Sequence, residues 1–197
     1  MVERVDAPTP CVIISGPPCT GKTTLGQRLA GDLALPFLGK DLIKEKLFDT
    51  LGWRDRDWSR QLGIATYELL YLWVEIELQA GRSFIVESNF DPDLATPHFL
   101  ALKEQYPFEA FQVQCYAEGG VLLERFKQRA ESVERHPGHV DHLNYEEMAP
   151  VLAKGRYESL NIGGEVLYLD TTDFERLDYP GLIDTIRSFL AGHVSTP

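Results

Sequence analysis

Cysteine is scarce in this chain. Its three cysteines, Cys11, Cys19 and Cys115, are scattered and show no C-x-x-C spacing. This usage predicts no disulfide framework and is typical of the reducing cytoplasm, where we expect the protein to be located. Cys19 lies inside a glycine-containing loop. There it is either a thiol of lowered pKa or a small residue that fills a loop position.

Basic residues are also few. Lys and Arg number 19 against 30 Asp and Glu, which gives a net charge of −11. So acidic a chain is unlike a general binder of nucleic acids or anionic membranes, although a local basic groove is compatible with it. No apolar run approaches the roughly 18 residues of a membrane span, and residues 1–6 do not resemble a signal peptide. We expect a small molecule as partner, and neither a nucleic acid nor a membrane.

The length and composition are ordinary for a globular protein. With 197 residues, of which 44% are hydrophobic and 25% charged, the chain is long enough to bury a core. We predict one domain over 1–197, with a short tail at 1–10, in a monomer or a homodimer.

One stretch has the pattern of a nucleotide-binding loop. Residues 16–23 read G-x-x-x-x-G-K-T, between the apolar run 11–15 and a segment with leucines four apart. A strand, a glycine-rich loop and a helix in that order are typical of the P-loop. We predict that a nucleotide contacts Gly16, Pro17, Pro18, Cys19, Thr20, Gly21, Lys22, Thr23 and Thr24.

The residue types of this loop match phosphate chemistry. Gly16 and Gly21 permit backbone angles that point several N–H groups at one anion, and the start of the helix adds a positive dipole end. Lys22 is expected to reach the β- and γ-phosphates, and the Thr23 hydroxyl to be a ligand of Mg²⁺.

Predicted strands and helices alternate along the rest of the chain. The strands are expected at 11–15, 35–39, 83–87, 108–116 and 165–170, and the later helices at 42–51, 59–80, 94–106, 118–134, 145–160 and 182–190. This order predicts an α/β fold, a P-loop NTPase three-layer sandwich with a mostly parallel five-stranded sheet and a helical lid at 118–142. The helix at 94–106 is expected to be interrupted by Pro97, and Ile64 to lie on the buried face of the helix 59–80.

Polar residues follow the second and third predicted strands, where ligands of parallel sheets bind. Asp41 is predicted to be a general base for a hydroxyl group, an N-cap of the next helix, or both. Glu87 is interpreted either as a carboxylate that orients Mg²⁺-bound water or substrate, or as a mere strand end. Asn89 either binds a polar substrate or forms a turn.

Two arginines stand out on the helix 118–134. Arg125 and Arg129 are four apart and have no acidic residue three or four positions away, whereas Lys127 and Arg135 do. Bridging phosphates would relieve their repulsion, so we predict that both are catalytic and that Arg125 also contacts the nucleotide. The alternative is a pair of solvated surface arginines.

The loop that follows contains three histidines. Pro137 and Gly138 make 135–142 a suitable mobile segment, and we predict substrate contacts from Arg135 and His136. A zinc site formed by His136, His139 and His142 and plain loop polarity are the alternatives.

Together these motifs resemble a known family. The resemblance covers about 10–190 and rests on Gly16–Thr23, Lys40–Lys44, Phe84–Phe90, Arg125, Arg129 and 135–139. The chain is similar to the small-molecule kinases of the AAA-type P-loop group, which are themselves similar to chloramphenicol phosphotransferase, gluconate kinase, zeta toxin and the kinase domain of polynucleotide kinase. It departs from AAA+ machines, because no Asp-Glu pair closes the third strand.

The resemblance implies specific roles. Lys22 and Thr23 match the phosphate and Mg²⁺ ligands, Asp41 matches an aspartate that serves as base or substrate anchor, and Arg125 and Arg129 match lid arginines. We therefore predict an ATP-dependent phosphotransferase that uses ATP and Mg²⁺ and moves the γ-phosphate to a hydroxyl of a small polar molecule. The alternatives are an ATP-binding or ATP-hydrolysing switch and a nucleotide or polynucleotide 5′-kinase.

Overall fold

The computed structural model describes residues 8–193. Its centre is a sheet of five strands: β1 (Thr9–Ser15), β2 (Phe37–Gly39), β3 (Phe84–Glu87), β4 (Phe108–Tyr116) and β5 (Glu165–Asp170). Its helices are α1 (Lys22–Leu33), α2 (Lys40–Leu51), α3 (Arg56–Gln79), α4 (Pro92–Gln105), α5 (Gly119–Glu131), α6 (Tyr145–Ala153) and α7 (Tyr179–Gly192). Within this part of the chain, no helix has both the length and the apolar character needed to cross a membrane.

The sheet is parallel throughout, in the order β2-β3-β1-β4-β5. β1 is central and pairs with β3 and β4, so that Ile14 lies opposite Glu87 and Ser15 ends opposite Gln114. Because all strands run the same way, their carboxyl ends form one edge of the sheet. The loop 16–21 therefore lies between the ends of β3 and β4.

The sheet is covered by helices on both faces, as the predicted three-layer fold requires. Alternate residues of β1 point to opposite sides, and this divides the core into two clusters. Cys11 and Ile13 pack with apolar side chains of α3 and α4. Val12 and Ile14 pack with apolar side chains of α1 and α7. The prediction of an α/β P-loop fold is confirmed.

Several predicted boundaries are wrong. The predicted tail 1–10 overlaps β1, because Thr9 and Pro10 already pair with β4; residues 1–7 lie outside the described range. Asp41 is not an N-cap, since α2 begins at Lys40 after Gly39 and Asp41 lies in its first turn. α6 ends at Ala153 instead of 160, and Gly155 follows in a left-handed conformation with φ 75°.

Other differences concern the long helices. α3 begins at Arg56 because Asp55 caps it, accepting a hydrogen bond of 2.8 Å from the Trp58 N–H. Ile64 is 68% exposed and does not belong to the buried face of this helix. Pro97 does not interrupt α4, which is continuous from Pro92 to Gln105.

The predicted lid region consists of α5 and an irregular segment, which we call the 132–144 loop. This loop joins α5 to α6 and contains two single turns of 3-10 helix, Pro137–His139 and Asp141–Leu143. α5 and α6 share a small apolar cluster with Leu122, Phe126 and Leu152. The 132–144 loop thus starts and ends on a packed helix pair beside the P-loop.

Candidate active site

The P-loop has the backbone conformation that its glycines allow. Gly16 has φ +133°, and a Cβ there would overlap the carbonyl oxygen of Cys115 on β4. Gly21 has φ +76° and lies so near Phe174 that a Cβ would come within 2.7 Å of its ring. Both positions require glycine, so the loop can wrap around an anion while it touches β4 and the segment after β5.

Lys22, the first residue of α1, is buried and points back into this loop. Its ammonium donates a hydrogen bond of 2.7 Å to the Pro17 carbonyl, which also accepts from the Thr20 hydroxyl at 2.9 Å. Burial lowers the pKa of Lys22, and the nearby Glu87 carboxylate opposes that shift. A cation held inside a ring of backbone groups is suited to phosphate binding.

Glu87, at the end of β3, faces Thr23 in the first turn of α1. The Thr23 hydroxyl donates a hydrogen bond of 2.9 Å to the Glu87 carboxylate. Glu87 is only 4% exposed, and this burial raises its pKa although Lys22 and Thr23 favour the charged form. A hydroxyl and a carboxylate side by side are hard oxygen ligands of the kind that Mg²⁺ prefers when phosphates complete its coordination.

A cavity of about 800 Å³ opens over the P-loop. At its β4–β5 end it is lined by Arg125, Arg129, Met148 and Phe174, and at its β2–β3 end by Lys40, Asp41, Lys44, Glu45, Arg56, Ser88 and Asn89. The predicted nucleotide residues Pro18, Cys19, Gly21, Lys22, Thr23 and Thr24 lie along it as well. Burial raises the pKa of the Cys19 thiol, so the alternative of a lowered pKa is wrong.

Asp41 lies in this cavity, but in a different environment from the one predicted for a base. Its carboxylate accepts a hydrogen bond of 3.0 Å from Arg135 and lies 3.7 Å from the Lys40 ammonium. Burial alone would raise the pKa of Asp41, yet Lys40 and Arg135 outweigh it and hold the pKa far below its usual range. A carboxylate held in this way accepts hydrogen bonds well but protons poorly.

Arg135 links α2 to the 132–144 loop. Besides Asp41, it bonds Asp141 at 2.8 Å and lies 3.6 Å from Glu45. Burial would lower its pKa, but Asp41 and Asp141 raise it, so the guanidinium remains charged. The loop is therefore held over the β2–β3 end of the cavity by a partly buried ion-pair network.

The sequence predicted that the two arginines of α5 lack partners. In the structure both have partners, which come from distant segments of the chain. Arg125 donates hydrogen bonds of 2.9 Å to the carbonyls of Thr171 and Thr172, and its guanidinium lies 4.2 Å from the centre of the Phe174 ring. Arg129 lies 3.4 Å from Asp141, and within residues 8–193 its buried Nε has no hydrogen-bond partner. Arg129 therefore keeps a donor without a partner among these residues, whereas Arg125 is bound to the segment after β5.

The described histidines of the 132–144 loop, His136 and His139, contact α2 instead of forming the predicted substrate contact or zinc site. His136 stacks on Phe48, accepts a hydrogen bond from the Gly138 N–H and lies 3.3 Å from Asp49, so it does not line the cavity. His139 is buried against Glu45 at 2.9 Å, and burial lowers its pKa to about 3. The His142 side chain lies outside the described residues, and no group of three or more His, Cys, Asp or Glu among those described is arranged to hold a metal ion.

Comparison with known proteins agrees with this geometry. The family model described as AAA domain matches residues 11–153. A crystal structure described as a "putative kinase" from Chloroflexus aurantiacus J-10-fl is 38% identical, has a TM-score of 0.85, and the match covers 96% of this chain and 100% of that one. The chain belongs to the AAA-type P-loop small-molecule kinase family.

A second solved structure shares only the fold. A sugar kinase from Janibacter sp. HTCC2649 is 18% identical to this member of the P-loop kinase family, with a TM-score of 0.54 and coverage of 93% of this chain and 95% of that one. No curated protein matches the chain significantly.

Several cavity residues received no role of their own from the sequence, among them Lys44, Arg56, Asp141 and Phe174. Phe174 follows β5, and the carboxyl-end rule that selected Asp41 and Glu87 would have selected it too. Lys44 lies one turn after Lys40 on α2, so helical spacing could have placed it beside Asp41. No sequence pattern pointed to Asp141, because it is distant in sequence from Arg129 and meets it only in the folded structure.

Proposed function

We propose that this chain is an ATP-dependent kinase that transfers the γ-phosphoryl group to a hydroxyl of a small polar molecule. The observation that carries the proposal is that one cavity joins a P-loop to a second set of polar groups. Lys22 and Thr23 line it beside Glu87, and Asp41 and Asn89 line its β2–β3 end. A donor half and an acceptor half therefore face the same space, as phosphoryl transfer requires.

The Thr23–Glu87 contact suggests how ATP is oriented. Thr23 and Glu87 would hold Mg²⁺, which neutralises charge on the phosphates when bound. Since Glu87 ends β3, the γ-phosphate would lie toward β3 and the base toward β5. There, Phe174 and Arg125 offer an aromatic face and a guanidinium plane for the adenine ring. Arg125 would thus bind the nucleotide and not take part in the transfer.

The acceptor would bind between α2 and α3. Its hydroxyl would displace Arg135 and donate a hydrogen bond to Asp41, while the amide of Asn89 contacts another polar group. The acceptor oxygen then attacks the γ-phosphorus, the bond to the β-phosphate oxygen breaks and ADP leaves. Because this transition state is loose, the hydroxyl proton is released late, along its hydrogen bond to Asp41 and from there to solvent, and Asp41 acts mainly by orienting the oxygen. Lys22 and Arg129 stabilise the charge on the transferring group.

A screen of hydroxyl-bearing metabolites with ATP and Mg²⁺, analysed by product mass, tests this function. We expect one chemical series to gain the mass of a phosphoryl group while ADP forms in equal amount. Lys22→Ala should abolish the product. Slow ATP hydrolysis that no compound stimulates would contradict the proposal and support the nucleotide switch instead.

A further inference from the structure

Lys44 is a buried cation of the cavity that none of the roles above uses. It lies on α2, is 8% exposed, and lines the β2–β3 end of the cavity. Its ammonium lies 5.4 Å from the centre of the Phe48 ring and close to Gly63 of α3. Among residues 8–193 it forms no ion pair and donates no hydrogen bond, since Asp41 is already bound by Arg135 and Lys40.

The surroundings of Lys44 are rich in positive charge. Lys40 on the same helix, Arg56 on α3 and Arg135 on the 132–144 loop all act on it, whereas Asp41 is the carboxylate that opposes them. His139, which also faces it, is neutral. Burial, followed by Lys40, lowers the pKa of Lys44 to about 8. A buried ammonium among cations is unfavourable unless an anion joins it.

Arg56 has donor capacity to spare at the same place. One terminal nitrogen of its guanidinium bonds both oxygens of Glu147 on α6 at 3.0 Å. Within the described part of the chain, its buried Nε has no hydrogen-bond partner. Two cationic side chains from α2 and α3 thus line the cavity, and each has a donor without a partner among residues 8–193.

We propose that Lys44, assisted by Arg56, binds an anionic group of the acceptor, so that the substrate is a small acid that also carries a hydroxyl. This proposal rests on the kinase function above and specifies its substrate class. The anion is a carboxylate or a phosphate monoester, because either gives a buried ammonium a charge-assisted hydrogen bond. The distance between this group and the reacting hydroxyl is set by the separation of Lys44 and Asp41, which lie about one turn apart on the same side of α2.

A library of matched pairs tests the charge requirement. Each acid is offered with its neutral counterpart: D-gluconate with D-glucitol, D-glycerate with glycerol, and sn-glycerol 3-phosphate with glycerol, extended to other sugar acids and sugar phosphates. We expect product from acids and little from their partners. The carboxylate series and the phosphate series distinguish the two sources of the anion.

Variants then test Lys44 itself. In Lys44→Gln we expect KM for the acid to rise roughly tenfold or more and kcat to change less than about threefold, because a binding contact is lost while the reacting groups remain. Lys46→Gln, on the exposed side of the same helix, is the control and should resemble the wild type. The wild-type KM should rise above about pH 8, where Lys44 loses its proton. Lys44→Arg should remove that rise.

The outcomes separate this inference from the kinase function. Thermal shifts in the presence of a non-hydrolysable ATP analogue and Mg²⁺ report binding without turnover. If acids stabilise the wild type but not Lys44→Gln, the anion site stands even where no product forms. If neutral compounds react equally well in both proteins, the anion site is overturned and the kinase stands. Acids that neither bind nor react also overturn the anion site. A kcat that rises with pH through about 8 in the wild type, with no such rise in Lys44→Arg, overturns it as well, because Lys44 would then be a base.

Discussion

Asp41 and Arg135 form an ion pair of 3.0 Å across 94 residues of sequence. One belongs to the first turn of α2 and the other to the 132–144 loop. Both residues line the β2–β3 end of the cavity, which is where the proposed acceptor must bind. The first three predictions below concern the catalytic groups of this cavity, and the last two concern stability.

Asp41→Asn should lower kcat by about 100-fold or more and leave KM for ATP within about threefold of the wild type. The amide can still accept a hydrogen bond, but it cannot carry the charge that orients the acceptor hydroxyl. Steady-state kinetics on the acceptor found by the screen measure the effect. Asp49→Asn, on the same helix but outside the cavity, is the control. Near-normal turnover of the Asp41 variant would remove this residue from the mechanism.

Glu87→Gln should raise the Mg²⁺ concentration needed for half-maximal activity roughly tenfold. Glutamine can still accept the hydrogen bond from Thr23, but it is a weaker ligand for a divalent cation. Activity titrated with Mg²⁺ at a saturating ATP concentration checks this. Glu109→Gln is the control. It changes a carboxylate near Lys103 at the amino end of β4, opposite the end that faces the P-loop, and should not alter the titration. Equal Mg²⁺ requirements in all three proteins would exclude Glu87 from the metal site.

The two arginines of α5 should give different kinetic effects. Arg125→Ala and Phe174→Ala should raise KM for ATP by about 5- to 150-fold, since base stacking contributes roughly 1–3 kcal/mol. Arg129→Ala should instead lower kcat by about 100-fold or more. Phe174→Tyr keeps the aromatic face and should restore ATP binding. The reverse assignment, with kcat lost in Arg125→Ala and ATP binding lost in Arg129→Ala, would show that the arginine roles are exchanged.

Acid should destabilise the protein through His139. Burial holds its pKa at about 3 in the folded state, against 6.5 for an ordinary histidine. Below pH 6.5 the unfolded state takes up a proton that the folded state does not. The contribution of neutral His139 to the free energy of unfolding is therefore present above about pH 6.5. It falls by roughly 2 kcal/mol between about pH 7 and pH 5.

His139→Gln should flatten this dependence in denaturant unfolding. The neutral ring donates to Glu45 at 2.9 Å, and glutamine can make the same contact without titrating. His193→Gln, near the end of α7, is the control. An unchanged slope in His139→Gln would mean that another group is responsible.

Lys44→Met should stabilise the protein without ligand. Because the folded pKa of Lys44 is about 8 instead of 10.5, the folded state bears the full penalty of a buried charge below about pH 8. Methionine removes it, and we expect a gain of roughly 1–3 kcal/mol near neutral pH. The gain should shrink as the pH rises from about 8 to 10.5, since the wild-type folded state then sheds the charge. Unfolding curves at several pH values measure it, and a loss of stability at neutral pH would contradict it.

Much of the fold was predictable because its signals are local. The alternating apolar runs placed β4 and β5 at the residues where the structure has them, and the glycine pattern placed the P-loop between β1 and α1. Helix ends were less predictable. Asp41 looks like a cap by residue type, but α2 begins one residue earlier, where the chain leaves β2.

The ion pairs of the site were not predictable in this way. The argument for Arg125 and Arg129 considered only neighbours within one helical turn, whereas their partners come from Thr171, Thr172 and Asp141. His136 was selected by its residue type and its place in the loop, but the loop turns it onto Phe48. Contacts between distant segments depend on the packed structure, and a single sequence carries no signal of them.

The ion pair between Asp41 and Arg135 has a consequence for the hydrolysis of ATP in the absence of the acceptor. While Asp41 is bound to Arg135, one oxygen of the carboxylate is engaged and the other lies beside Lys40, so we expect Asp41 to orient a water molecule toward the γ-phosphate poorly. An acceptor hydroxyl can compete for Asp41 because it brings further contacts with it, whereas water brings none. We therefore expect the empty acceptor site to protect ATP from idle hydrolysis, and the protection to end only when the correct molecule opens the pair.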